Sequence, residues 1–215
     1  FSMSLVPAVS SALTKKDQQG LQRMISTGLK LALMIGSAAA VGMGLLSHQI
    51  LRLLYASQPE NCLELGGQLL AIMSVGVLFL AVVQTTTGML QGLGKPSYPV
   101  KTLLVGIVAK TVLNYVLIGI PQINVLGAAI ATVVCYAIAA LGNVYMVLKL
   151  SKTKLKPVDA LVRPALAAGG MGAAVWGFVC LMGGRLGNTM LTLGAVCLGV
   201  LVYAVLTFVL RALSK

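Results

Sequence analysis

Lys110 is a charged residue in the middle of an otherwise uncharged run of the sequence, from Thr102 to Pro121. This run is long enough to cross a lipid bilayer as a helix. A charged side chain at the bilayer centre costs about 2.5–3.5 kcal/mol even on lenient insertion scales, so it usually faces a partner or a water-filled cavity. Because lysine can bind phosphate or pyrophosphate as a point charge, Lys110 is a candidate anion-binding residue.

Further polar side chains lie at helical spacing in this run and in its two neighbouring apolar runs. Residues four apart share one helix face, so these side chains avoid lipid if their faces converge on a common interior. Such an interior would contain water and would be positively charged at Lys110, which would suit an anionic solute that carries hydroxyl groups. The alternative is that the neutral side chains only form hydrogen bonds between helices, worth about 0.6 kcal/mol each. The candidate substrate-binding residues are Lys110, Asn114, Gln84, Gln91, Thr132 and Asn143.

The composition identifies the elements that must hold these residues. Hydrophobic residues make up 58% of the 215 residues and charged residues only 9%. A soluble domain would carry about 25% charged residues, and it would need polar helices to cover the apolar ones. The sequence therefore predicts an all-α fold, a polytopic transmembrane helix bundle. The predicted spans are Lys30–Ser47, Leu65–Leu90, Thr102–Pro121, Val125–Leu148, Leu161–Gly184 and Asn188–Leu210.

The positive charge follows the order of the loops. The net charge is +12, which in a soluble protein would suggest a nucleic-acid partner. Thirteen of the sixteen lysines and arginines, however, lie in alternate connections and in the two terminal segments, and only Arg52 and Arg185 lie in the intervening loops. This is the positive-inside pattern, which predicts a membrane protein with both ends of this segment in the cytoplasm. We expect no nucleic-acid partner.

Enzymatic chemistry finds little support in the sequence. No Ser/His/Asp grouping, metal-ligand spacing or phosphate-cradling loop is present, so we expect no catalytic residues, no metal and no cofactor. His48, the only histidine, lies at the outer end of the first span and is interpreted as an interface residue. Cys135, Cys180 and Cys197 lie within spans and are interpreted as small apolar fillers, whereas Cys62 lies on the outer side. The four acidic residues, all outside the predicted spans, are Asp17, Glu60, Glu64 and Asp159.

The predicted organisation has four parts. The chain starts with Phe1 and an apolar stretch that is interpreted as the end of an earlier span, so we expect a piece of a longer protein. The basic stretch after the fourth span is the best candidate boundary. The parts are residues 1–29, the end of a truncated span and a cytoplasmic amphipathic helix; 30–148, four spans of a transport bundle; 149–163, a basic cytoplasmic loop; and 164–215, two additional spans.

Three stretches together resemble a known family. They are Val6-Pro7-Ala8-Val9-Ser10 followed by a basic helix and Leu31-Ala32-Leu33-Met34-Ile35-Gly36; Leu90-Gln91-Gly92-Leu93-Gly94-Lys95-Pro96; and Lys110, Leu113-Asn114-Tyr115, Ile118-Gly119-Ile120-Pro121 and Leu126-Gly127-Ala128-Ala129-Ile130-Ala131-Thr132. Their order over about 150 residues is similar to that in the C-terminal half of flippases of the multidrug/oligosaccharidyl-lipid/polysaccharide superfamily. Within it, the chain most resembles the stage V sporulation protein B group, which is related to the lipid II flippases.

The resemblance implies a protein of about fourteen helices in two pseudo-symmetric bundles. It implies alternating-access transport of an undecaprenyl-pyrophosphate-linked glycan, such as a cell-wall or spore-wall precursor, between the leaflets of a bacterial cytoplasmic membrane. Its partners would then be this substrate, membrane lipids and the missing N-terminal half, which supplies most cavity arginines in lipid II flippases. The last two helices would form a groove for the lipid tail. The alternatives are a cation-coupled multidrug exporter of the same fold and a membrane-bound glycan ligase or polymerase.

Overall fold

The computed structural model describes residues 2–120, 123, 125–153, 162–182 and 187–209. Every regular element in these ranges is an α-helix, and six of the helices are long and apolar enough to cross a membrane. The prediction of an all-α polytopic bundle is thus confirmed. The helices are α1 (Ser2–Thr14), α2 (Gln18–Leu45), α3 (Ser47–Leu54), α4 (Glu60–Gly92), α5 (Ser97–Ile118), α6 (Val125–Ser151), α7 (Arg163–Met182) and α8 (Asn188–Val209).

The first spanning helix begins earlier than the sequence predicts. We expected a separate amphipathic helix on the membrane surface up to Lys30, but α2 runs unbroken from Gln18 through that position. Asp17 caps this helix, since its Oδ1 accepts a hydrogen bond of 2.9 Å from the backbone N–H of Gly20. At 28 residues, α2 is about 42 Å long and extends beyond the hydrocarbon core, which is about 30 Å thick.

Two buried clusters hold the bundle together. The larger one joins α1, α2, α4 and α6 near the basic end of the bundle, with Ile25, Met89 and Val147 fully buried. The smaller one joins the end of α2 to α7 and α8 through Leu46, Met171, Val175 and Ala195. The spanning helices are otherwise little enclosed, because most of their apolar surface points away from the bundle, as expected for helices in lipid.

The reversal between α4 and α5 depends on one glycine. Gly94 has φ +72°, a backbone conformation that side chains disfavour, and Lys95 N–H donates to the Leu90 carbonyl at 2.9 Å. Pro96 then precedes the first residue of α5, which completes a tight reversal. Pro121, the last residue of the predicted third span, and most of the predicted basic loop, residues 154–161, lie outside the described residues.

Candidate functional site

A close seam between α5 and α6 positions the polar residues of α5. A Cβ atom placed on Gly106 would lie 2.8 Å from the carbonyl oxygen of Cys135, so only glycine allows this approach. Gly142 faces Thr102 and Gly127 faces Leu117 in the same way, which sets an antiparallel register. Lys110 follows Gly106 by one helical turn, and by this register it comes level with Thr132 of α6.

Lys110 and Asn114 are both half-buried on this face of α5. The Oδ1 atom of Asn114 is buried and has no hydrogen-bond partner among the described residues. Leaving a buried acceptor unpaired costs about 1–3 kcal/mol, and because this oxygen has no exposed surface it reaches a group outside the described residues only if the Asn114 side chain moves. α5 is also the least enclosed of the six spanning helices. Lys110 and Asn114 lie half-buried along the α5–α6 seam, while the outward face of α5 is open.

Asn143 and Thr132 form hydrogen bonds within the bundle. Asn143 is fully buried and connects three helices. Its Oδ1 accepts from the Thr102 hydroxyl at 2.6 Å, and its Nδ2 donates to Thr87 Oγ1 at 3.5 Å. The Thr132 hydroxyl donates to the Ala128 carbonyl of its own helix at 2.8 Å. The bonds of Asn143 are the interhelical alternative considered above, whereas the Thr132 bond stays within α6. At 0% exposure Asn143 cannot contact a solute without a rearrangement.

Gln84 and Gln91 are exposed on α4. They lie three residues before and four residues after Thr87, so they share its face, the one that meets α6. The structure thus divides the six candidates into two groups. Lys110, Asn114 and Thr132 lie along one part of the α5–α6 seam, and Asn143, Gln84 and Gln91 lie nearer the basic end.

We expect Asn143→Leu to lower the stability of the bundle by about 1–2 kcal/mol, because it removes two interhelical hydrogen bonds and leaves the Thr102 hydroxyl without this partner. The measurement is thermal unfolding in detergent. Thr111→Val is the matched control, since the exposed Thr111 hydroxyl bonds only to the Ile107 carbonyl of its own helix. Equal stability of the two variants would contradict the role of Asn143 as a connector.

An apolar groove of about 430 Å³ lies between α2, α7 and α8. Small residues of α2, Ala38, Ala39 and Gly42, form one wall, and Gly199 of α8 lies on the other. The hydroxyl of Tyr203 donates to the Met34 carbonyl at 2.7 Å and ties α8 to α2. From the resemblance we expected a groove formed by the last two helices, α7 and α8. The stripe of small residues on α2 was the sequence feature that could have indicated that α2 also lines the groove.

The sequence of this chain is similar to those of several known membrane proteins. The chain is 27% identical over 206 residues to the uncharacterized membrane protein YabM of Bacillus subtilis (strain 168), covering 93% of this chain and 37% of YabM. It is 29% identical over 147 residues to the lipid II flippase MurJ of the same organism, covering 68% of this chain and 26% of MurJ. Stage V sporulation protein B and the probable multidrug resistance protein YpnP, also from this organism, match at 24% and 32% identity.

A solved structure shares the fold. The lipid II flippase MurJ in an inward closed conformation superposes with a TM-score of 0.73 at 20% identity, covering 100% of this chain and 44% of that one. The chain thus spans less than half the length of these relatives. The resemblance to the multidrug/oligosaccharidyl-lipid/polysaccharide superfamily is confirmed. The MatE family matches residues 1–116, which is more than half of this chain. The chain therefore belongs to the MatE family.

Proposed function

We propose that this chain is part of a flippase that moves a lipid-linked oligosaccharide, or a cell-wall or spore-wall precursor, across the cytoplasmic membrane by alternating access. One observation carries the proposal. The same bundle has a cationic, polar stripe on α5 at Lys110 and Asn114, and a separate, almost entirely apolar groove between α2, α7 and α8. A substrate with an anionic pyrophosphate head and a long hydrocarbon tail needs one surface of each kind.

The open face of α5 supports a pathway completed by other helices. α5 packs mainly on α6 and presents many large apolar side chains outward, including Val108, Val112 and Tyr115. We propose that sequence outside this chain forms the opposite wall, as the 44% coverage of the MurJ structure suggests. The alternation of lysines and arginines supports a topology with both ends of the segment in the cytoplasm.

The second candidate is a multidrug exporter, which the relationship to YpnP favours. Organic cations are usually bound by acidic groups within the membrane. In this chain Glu60 and Glu64 are exposed in the first turns of α4, and Asp17 caps α2, so none of these three lies deep in a span. The relatives named above include a flippase and a probable multidrug resistance protein, which supports a transporter over a glycan ligase or polymerase. Both alternatives are less well supported than a flippase.

The deciding experiment uses the full-length protein in proteoliposomes. A fluorescent undecaprenyl-pyrophosphate-linked glycan is incorporated, and the fraction that becomes accessible on the opposite leaflet is followed over time. We expect protein-dependent translocation of this lipid and no protein-dependent movement of organic cations. Movement of the cations without movement of the lipid would support the exporter and overturn the flippase proposal.

The groove gives a more specific prediction. Val200 of α8 lines the groove and is 65% exposed, so Val200→Trp should narrow the groove and slow translocation about three- to tenfold by competing with the lipid tail. Val205→Trp is the matched control, because Val205 is similarly exposed on the same helix but does not line the groove. The same slowing in both variants would mean that the groove does not hold the tail.

A further inference from the structure

A second cleft lies at the basic end of the bundle, where α2 begins and α6 ends. Its volume is about 480 Å³. All six residues that line it are polar, two are cationic, and none is acidic: Gln19, Gln22, Arg23, Ser26, Lys152 and Thr153. This cleft is separate from the polar stripe on α5 and from the apolar groove, and the proposed transport does not use it.

The cleft is built by a defined backbone conformation. Lys152 has φ +53°, an unusual value for a residue with a side chain. Two buried hydroxyls hold the chain there, since Ser151 Oγ lies 2.7 Å from Thr153 Oγ1 and accepts from the Thr153 N–H at 3.3 Å. The Gln22 side chain donates to the Lys152 carbonyl at 3.2 Å and fastens this turn to α2. Lys152 is therefore held beside Arg23 by the fold.

Among the residues that the structure describes, the acid nearest to Arg23 in sequence is Asp17, and it does not neutralise the cleft. The Oδ1 of Asp17 accepts from the Gly20 N–H and caps α2, and Asp17 does not line the cleft. The Arg23 guanidinium, the Lys152 ammonium, the Gln19 amide, the second N–H of Gln22 and the Ser26 hydroxyl together supply the donors that suit a tetrahedral oxyanion, while the Thr153 hydroxyl is engaged with Ser151. Carboxylate and nucleobase ligands would leave several of these donors unmatched. The donor set fits a phosphate group best.

The position of the cleft relative to the membrane indicates the source of the phosphate. Ser26 and Arg23 precede Lys30, where the predicted hydrocarbon core begins, by four and seven residues. Along a helix this is about 6–10 Å, which corresponds to the headgroup layer. We propose that this cleft binds the phosphate of an anionic phospholipid in the leaflet at the basic end of the bundle. The inference does not depend on which substrate the protein transports.

The test is a ligand titration of the purified full-length protein in a neutral detergent, with thermal unfolding as the readout. The probes are dihexanoyl phosphatidylglycerol, dihexanoyl phosphatidylcholine and inorganic phosphate. We expect saturable stabilisation by phosphatidylglycerol, and about tenfold weaker binding in the variant that combines Arg23→Gln with Lys152→Gln. The combination Arg23→Lys with Lys152→Arg keeps both charges and should retain binding.

The matched control combines Lys15→Gln with Lys16→Gln, which removes two positive charges from the turn before α2 but none from the lining of the cleft. It should bind phosphatidylglycerol as the unchanged protein does. Equal weakening in the control, unchanged binding in the Arg23 and Lys152 variant, or no stabilisation of the unchanged protein by any probe would overturn the proposal. Stabilisation by inorganic phosphate with the same residue dependence would retain the phosphate site and assign it to a soluble anion. If the double variant does not fold, Arg23→Gln alone, an exposed change on α2, gives the same comparison.

Discussion

Replacing Lys110 by glutamate should reduce translocation of a pyrophosphate-linked substrate by about 100-fold, the largest effect expected for any single residue of this chain. The change removes a charge-assisted contact to the phosphates and puts a negative charge in its place, within a span where electrostatic interactions are stronger than in bulk water. The measurement is the initial rate of lipid translocation by the full-length variant in proteoliposomes, with equal amounts of correctly inserted protein.

Lys101→Glu is the matched control for Lys110→Glu. Lys101 lies on the same helix, nine residues earlier, is exposed, and places its Nζ 5.8 Å from the centre of the Tyr98 ring. Both substitutions change the charge of α5 by the same amount, but only the first acts at the level of Thr132 and Asn114. We expect the control to change the rate by less than about threefold. An unchanged rate in the Lys110 variant would refute the role of this lysine in transport.

The number and type of the spanning helices could be predicted because each depends on a local property. A run of about twenty apolar residues has only one stable way to satisfy its backbone in lipid, and each predicted span corresponds to one observed helix. The ends were harder to predict. α2 and α4 begin outside the apolar runs, at Gln18 and Glu60. Asp17 caps the polar start of α2, and Glu60 places a negative charge in the first turn of α4, where it is favourable. Hydropathy alone does not record this extension.

The candidate site was predictable only in part. Lys110 was identified from its charge in an apolar run, which needs no knowledge of its neighbours. The connecting role of Asn143 depends on Thr102 and Thr87, which are 41 and 56 positions away in sequence. Which polar side chains pair with each other and which remain available is decided by helix packing. The unpaired Oδ1 of Asn114 could therefore be distinguished from the amide of Asn143 only in the folded bundle.

The α5–α6 seam gives the second large effect. We expect Gly106→Ala to destabilise the bundle by about 1–3 kcal/mol, because the new methyl group would lie 2.8 Å from the Cys135 carbonyl oxygen and 3.0 Å from its Sγ. The carbonyl belongs to the backbone of α6, so it cannot move aside as a flexible side chain would. The two helices must separate at this level, which also displaces Lys110 and Asn114 from the seam.

Gly177→Ala is the matched control for Gly106→Ala, since a Cβ on Gly177 in α7 would meet no atom within 4 Å. Alanine is the better helix former by about 0.5–1 kcal/mol, so this variant should be as stable as the parent or more stable. The two variants are compared by thermal unfolding and by maleimide labelling of proteins in which Cys135, normally buried, is the only cysteine. Faster labelling should accompany Gly106→Ala alone. If Gly106→Ala left both stability and labelling unchanged, the close approach of α5 and α6 would not determine where Lys110 lies. The position of the polar stripe at Lys110 and Asn114 would then have to depend on contacts made by the outward face of α5.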